Sequence, residues 1–156
     1  MQIRQATKKQ RKARIALAGP SGSGKTMSAL LLAKGMGEKI LIIDTENRSA
    51  ENYVGHTMVP FPYDVIDIEP PYSVSKYIQA IQAGEEGGYD VIIIDSVSHA
   101  WAGQGGVLDV KNKYDDTVGG NSYTNWRKVT PLHNKLVDAM IFCKTNLIVT
   151  LRSKTE

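Results

Sequence analysis

The segment Gly19-Pro-Ser-Gly-Ser-Gly-Lys25-Thr26 satisfies every fixed position of G-x-x-x-x-G-K-[ST]. It also has the context the motif needs. The apolar stretch Arg14-Ile-Ala-Leu-Ala18 precedes it, and Thr26 to Lys34, rich in Ala and Leu, reads as a helix behind it. Strand, glycine-rich turn and helix together make a socket for polyphosphate. In the loop Gly19, Pro20, Ser21, Gly22, Ser23 and Gly24 the glycines let backbone amides turn inward, and the helix N-terminus adds the positive end of its dipole. Lys25 then supplies a compact cation for the β- and γ-phosphates. The Thr26 hydroxyl is a hard oxygen ligand for Mg²⁺. The expected ligand is ATP with bound Mg²⁺.

Further along, continuous apolar runs mark strands buried on both faces: Lys39 to Asp44 (KILIID), Asp90 to Asp95 (DVIIID) and Asn146 to Leu151 (NLIVTL). Asp64 to Glu69 alternates apolar and acidic residues and reads as an edge strand. Ser73 is placed to cap a helix whose apolar positions Val74, Tyr77, Ile78 and Ile81 recur at helical spacing, with Gly84, Gly87 and Gly88 expected to close it. Ser96 to Asn125 reads as loops around one short helix. Thr130-Pro131 reads as the N-cap and first residue of a helix carrying Leu132, Leu136, Val137, Met140 and Ile141. Strands alternating with helices predict an α/β fold, a mostly parallel sheet covered by helices on both faces.

Two acids are candidates for chemistry. Asp95 ends a buried strand, where a carboxylate meets the Mg²⁺ shell, directly or through water (the Walker B role). Glu46 follows Asp44 at the end of KILIID and would open onto the same crevice if the two strands are neighbours. It is the candidate for activating water; Asp44 is its competitor, and capping the next segment is the other role open to Glu46. No glutamate follows Asp95, and Ser96 stands there instead.

Composition bounds the rest. Apolar residues make up 42% and charged residues 22% of 156, the balance of a soluble globular domain. No apolar run is long enough to span a membrane and no signal peptide is visible, so a cytoplasmic location is expected. Cys143, the single cysteine, reads as a packing thiol in an apolar helical stretch. Met1 to Arg14 holds Arg4, Lys8, Lys9, Arg11, Lys12 and Arg14 and no acid. Such an arm suits nucleic-acid phosphate, or is a solvated tail. His99, just past Asp95, either lines the site or makes a structural hydrogen bond. Trp101 and Trp126 either stack on bases or pack beneath the glycine-rich segment. Asn112 to Asp115 matches the guanine-reading N-K-x-D by chance, because Val107 to Lys111 makes a poor strand and D-x-x-G is missing. The scattered histidines support no zinc site.

The phosphate loop, the strand-end sequence of Asp44 to Glu46 and Asp95-Ser96 together resemble the RecA-like ATPase core. The stretches Ile94 to Trp101 (IDSVSHAW) and Leu151 to Glu156 (LRSKTE) are similar to those of phage-encoded RecA-like ATP-binding proteins associated with single-strand annealing recombination. The likeness runs from Arg14 onward. It implies a RecA-like ATP-binding domain over 14–156, behind the basic arm of residues 1–13 that the charge pattern marks; a nucleotide-binding sheet of this kind usually continues past its fifth strand, so the chain is expected to be a fragment or a minimal core. It also implies Glu46 as the water-activating residue, and Arg152 as a γ-phosphate sensor or trans-acting finger, with Lys154 as the alternative. Single-stranded DNA bound along Gly103 to Asn125, a ring or filament of identical chains, and a host cytoplasm follow from the same resemblance. A small-molecule or nucleotide kinase and a non-hydrolysing ATP-binding scaffold are the rival readings.

Overall fold

The computed structural model describes residues 3–5, 11–117 and 121–153. Five strands form one sheet: β1 (Arg14–Gly19), β2 (Ile40–Asp44), β3 (Asp64–Asp67), β4 (Val91–Asp95) and β5 (Asn146–Arg152). Their spatial order is β1-β5-β4-β2-β3, and every neighbouring pair is parallel. The all-apolar runs became the central strands because parallel strands with helices on both faces have no wet side. Every residue of β2 and β4 is buried. The alternating stretch became β3, a four-residue edge strand, as its acidic pattern predicts.

Strand periodicity divides the core into two layers. Ile40, Ile42, Val91, Ile93 and Ile148 point to the face covered by α1 (Lys25–Met36), where Ala29, Leu30 and Ala33 meet them. Leu41, Ile43, Ile92, Ile94 and Leu147 point the other way. There they pack on α2 (Val74–Glu86), α3 (Ser98–Ala102), α4 (Val107–Thr117) and α5 (Ser122–Ile141). The same parity puts Asp44, Asp95 and Thr150 on the α1 face at the strands' carboxyl ends. Asp44 lies directly beside Asp95, and Gly19 beside Arg152.

Three expectations are corrected. Ser96 to Asn125 is not loop around one short helix: α3, α4 and the first turn of α5 occupy most of it. Gly103, Gly105 and Gly106 fall in the α3–α4 connection, while Asp109–Lys113 and Lys111–Asp115 ion pairs at helical spacing support α4. Asn112 to Asp115 therefore sits on a helix and not at a strand end. Asn121 caps α5 through its side-chain oxygen, which accepts from the Tyr123 amide at 3.1 Å.

Thr130-Pro131 is the second correction, for it lies inside α5 and does not start it. Proline removes a helical donor there, but on an exposed face water can satisfy the orphaned carbonyl. Thr130 donates its hydroxyl to the Trp126 carbonyl at 2.7 Å, a local bond of the kind that bends helices. Cys143 follows this helix and is buried, which pushes its thiol pKa up.

Gly84 is the third correction: it lies within α2 and does not terminate it. A Cβ at this position would stand 2.6 Å from Ile92 Cδ1 and 2.9 Å from Leu41 Cδ2, so glycine is what lets α2 approach the sheet. Alanine would recover up to about 1 kcal/mol of helix propensity against contacts that flexible side-chain ends can partly relieve. Valine gains no comparable propensity and adds bulk. Gly84→Val is expected to destabilise the domain by about 1–3 kcal/mol. Urea denaturation checks this: the midpoint should fall with the slope preserved, and an unchanged midpoint would remove the close-approach role.

Candidate functional site

The turn between β1 and α1 owes its shape to two glycines in the left-handed region, Gly22 at φ 76° and Gly24 at φ 82°. The Ser23 amide bonds back to the Pro20 carbonyl at 3.3 Å, closing the turn. The amides of α1's first turn have no intrahelical partner and face the same space. Lys25 folds its ammonium over the loop and donates to the Pro20 carbonyl at 2.6 Å.

Asp95 reaches α1 from the neighbouring strand end. Thr26 Oγ1 donates to its Oδ2 and Thr150 Oγ1 to its Oδ1, each at 2.5 Å. Both carboxylate oxygens are thus held by hydroxyls, one of them the candidate metal ligand. Thr150 carried no signal beyond its parity, as a polar residue facing α1 in an otherwise apolar strand.

The two acids at the carboxyl end of β2, Asp44 and Glu46, have different surroundings. Asp44 is buried, and its carboxylate accepts the Glu46 amide at 2.6 Å and the Ala50 amide at 2.8 Å. Burial raises its pKa, aided by the neighbouring Asp95, Asp67 and Glu51 charges and opposed by the Ala50 amide. Asp44 therefore folds the strand-end loop and pins a 3₁₀ turn, Ser49–Tyr53. Glu46 instead projects into the cleft with its side chain 12% exposed. Ser96 Oγ donates to its Oε1 at 2.9 Å, and Arg152 forms an ion pair with its Oε2. Ser96, which stands where many ATPases have glutamate, orients the glutamate of the adjacent strand.

Beneath Glu46 lies a buried polar knot. Thr45 Oγ1 accepts from the Ser96 amide at 2.9 Å and lies 2.9 Å from His99 Nδ1, while Tyr77 donates to the Ser96 carbonyl at 3.0 Å. His99 stacks on Tyr72 with centroids 4.6 Å apart, and its Nδ1 is 3.7 Å from Glu46 Oε1. It both packs structurally and borders the cleft. Burial holds the His99 pKa below the usual imidazole value, against the pull of Asp95.

These parts line one cleft of about 340 Å³: Ser21, Gly22, Gly24, Lys25 and Thr26 on one side, with Glu46, Asp95, Ser96 and Arg152 facing them. Ser49 and Tyr53 of the 3₁₀ turn complete it, and no motif or periodicity singles them out. A larger hollow of about 640 Å³ beside β3 and α2 contains none of the loop residues. Lys154 lies outside the described residues. Trp101 and Trp126 stack on each other at 6.0 Å, away from this cleft.

A family model described as an AAA domain matches residues 11–156. The chain belongs to the AAA domain family. With its parallel sheet and phosphate loop, this AAA domain is a P-loop NTPase. No curated protein matches it. Among the described residues of the AAA domain, no helix is long and apolar enough to cross a membrane.

Proposed function

We propose that the protein is a Mg-ATP-dependent ATPase of RecA-like type that acts on single-stranded DNA in phage recombination. The observation that carries the reading is Glu46, a carboxylate held between Ser96 and Arg152 on the wall opposite Lys25 and Thr26. Hydrolysis needs such a group to orient or deprotonate water near the γ-phosphate. Lys25 leaves the Pro20 carbonyl for the β- and γ-phosphates. Thr26 and Asp95 would hold Mg²⁺; their donors are hard oxygens, 2.5 Å apart, which suits that ion. Bound there, Mg²⁺ would supply neutralisation of phosphate charge, while the loop, Lys25 and Glu46 position the ligand and the attacking water.

Arg152 lines the cleft of its own chain, which favours a sensor acting in cis over a finger acting in trans. In this reading Arg152 moves from Glu46 to the γ-phosphate, and the released carboxylate turns to the attacking water. The basic arm, residues 1–13, adds phosphate contacts outside the ATPase domain, 14–156. Assembly as a ring or filament and residence in a host cytoplasm belong to the same proposal, on the strength of the resemblance.

ATP turnover with and without single-stranded DNA tests it. Turnover is expected to rise several-fold with DNA at low salt, and to lose that response as salt increases and when Met1 to Lys12 is deleted. Turnover that ignores DNA at every salt concentration would remove the nucleic-acid part. Absence of turnover under all conditions would leave only a nucleotide-binding scaffold.

A further inference from the structure

Helix α5 presents an aromatic and cationic face that the nucleotide site does not use. Positions 123, 126, 127, 130 and 131 follow helical spacing, so Tyr123, Trp126, Arg127, Thr130 and Pro131 share one stripe. They line an open groove of about 360 Å³. Tyr123 is 76% exposed, unusual for so large an apolar ring. Trp126 is fixed instead: it stacks on Trp101 at 6.0 Å, and the Lys111 ammonium sits 5.5 Å from its ring centroid. Its remaining surface forms the groove wall.

The charges on this face are of one sign. The Arg127 side chain is exposed and has no hydrogen bond or ion pair with any described residue. Among the described residues, no carboxylate lines the groove. Over its whole length α5 carries Arg127, Lys128 and Lys135 against one acid, Asp138, near its far end. Of the three α4 carboxylates, Asp109 and Asp115 are committed to Lys113 and Lys111, while the exposed Asp116 is not among the residues lining the groove.

We propose that this face is a platform for single-stranded DNA, with bases stacking on Tyr123 and the rim of Trp126 and Arg127 meeting phosphate. The proposal rests on the nucleic-acid reading above and moves the contact from loops to a helical surface that begins at the end of Gly103 to Asn125 and runs on along α5. The chemistry selects the occupant. Flat aromatic surface beside an unpaired cation matches a base followed by its phosphate, and only single strands leave base faces free to stack. The platform also touches the ATPase apparatus. Trp126 stacks on Trp101, and Trp101 lines the same apolar cavity of about 390 Å³ as Arg152, the partner of Glu46.

Binding of labelled oligo(dT) by the full chain tests this, with anisotropy as the readout and DNA-independent ATP turnover as the check on folding. Tyr123→Ala is expected to weaken binding by roughly 10- to 100-fold, and Tyr123→Phe to keep it, because the ring stacks and the hydroxyl does not. Arg127→Ala should lower the salt dependence by about one unit of slope. The two tryptophans, Trp101 and Trp126, are the only ones in the chain, and their fluorescence should be quenched as DNA binds. If wild type binds but Tyr123→Ala and Arg127→Ala bind equally well with the same slope, the platform is wrong and the proposed function stands. If duplex competes as well as single strand, stacking is wrong. If wild type binds no DNA at low salt, both fail.

Discussion

Glu46→Gln is expected to slow ATP hydrolysis by about 100- to 10,000-fold while changing ATP affinity by less than about threefold. Glutamine has the same shape, and its carbonyl oxygen can still accept the Ser96 hydroxyl now bound to Oε1 at 2.9 Å. What it lacks is basicity and negative charge. The second loss releases Arg152, whose side chain is 47% exposed and can extend into water at little cost. Most of the binding depends on the loop, Lys25 and Thr26, none of which bonds to Glu46, and Arg152 leaves Glu46 for the γ-phosphate in wild type as well. Single-turnover phosphate release beside calorimetric titration separates the two quantities. Wild-type hydrolysis in the variant would end the assignment of Glu46 as base. Asp44 would not inherit the role, because its oxygens already serve the Glu46 and Ala50 amides. A kinase of similar fold would be exposed by phosphate transfer that depends on an added acceptor.

What the sequence made legible follows from which physical rule governed each segment. Ile40 to Asp44 and Val91 to Asp95 were readable because burial on both faces demands unbroken apolar runs, and their terminal acids mark where the sheet meets solvent. That Glu46 and Asp95 share a cleft follows from β2 and β4 being neighbours, which pattern alone could only suppose. The helical region between β4 and β5 was obscured by local punctuation. Glycines and an internal proline carry strong turn signals, yet tertiary packing of Val107, Val129 and Leu136 outweighed them. Gly84 misled in the same way, since a glycine needed for close approach looks identical to one that ends a helix. The ion pair of Arg152 with Glu46, separated by 106 positions, has no sequence signature. Strand parity could have found Thr150; nothing local could have found Ser49 and Tyr53, which Asp44 sets in place through Ala50.

Lys25→Ala tests the phosphate socket on which every later step depends. The ammonium now rests on the Pro20 carbonyl, an exposed hydrogen bond within the loop. Water can replace that bond, so truncation should shift stability by less than about 1 kcal/mol. A phosphate oxygen in a confined cleft is a different partner. Its charge-assisted bond to Lys25 is worth about 1.5–3 kcal/mol or more, and replacing water there restores little of it. ATP affinity in the presence of magnesium should therefore fall by at least about 10- to 100-fold, with hydrolysis lost alongside it. The unfolding midpoint should remain near that of wild type, which separates a lost ligand contact from a damaged fold. Titration calorimetry is decisive because the wild type must first show heat of association with Mg-ATP. If Lys25→Ala retains that heat at the same affinity, the ammonium is not reading phosphate. The alignment of Glu46, Asp95 and Thr26 would then need a ligand other than a nucleotide to explain it.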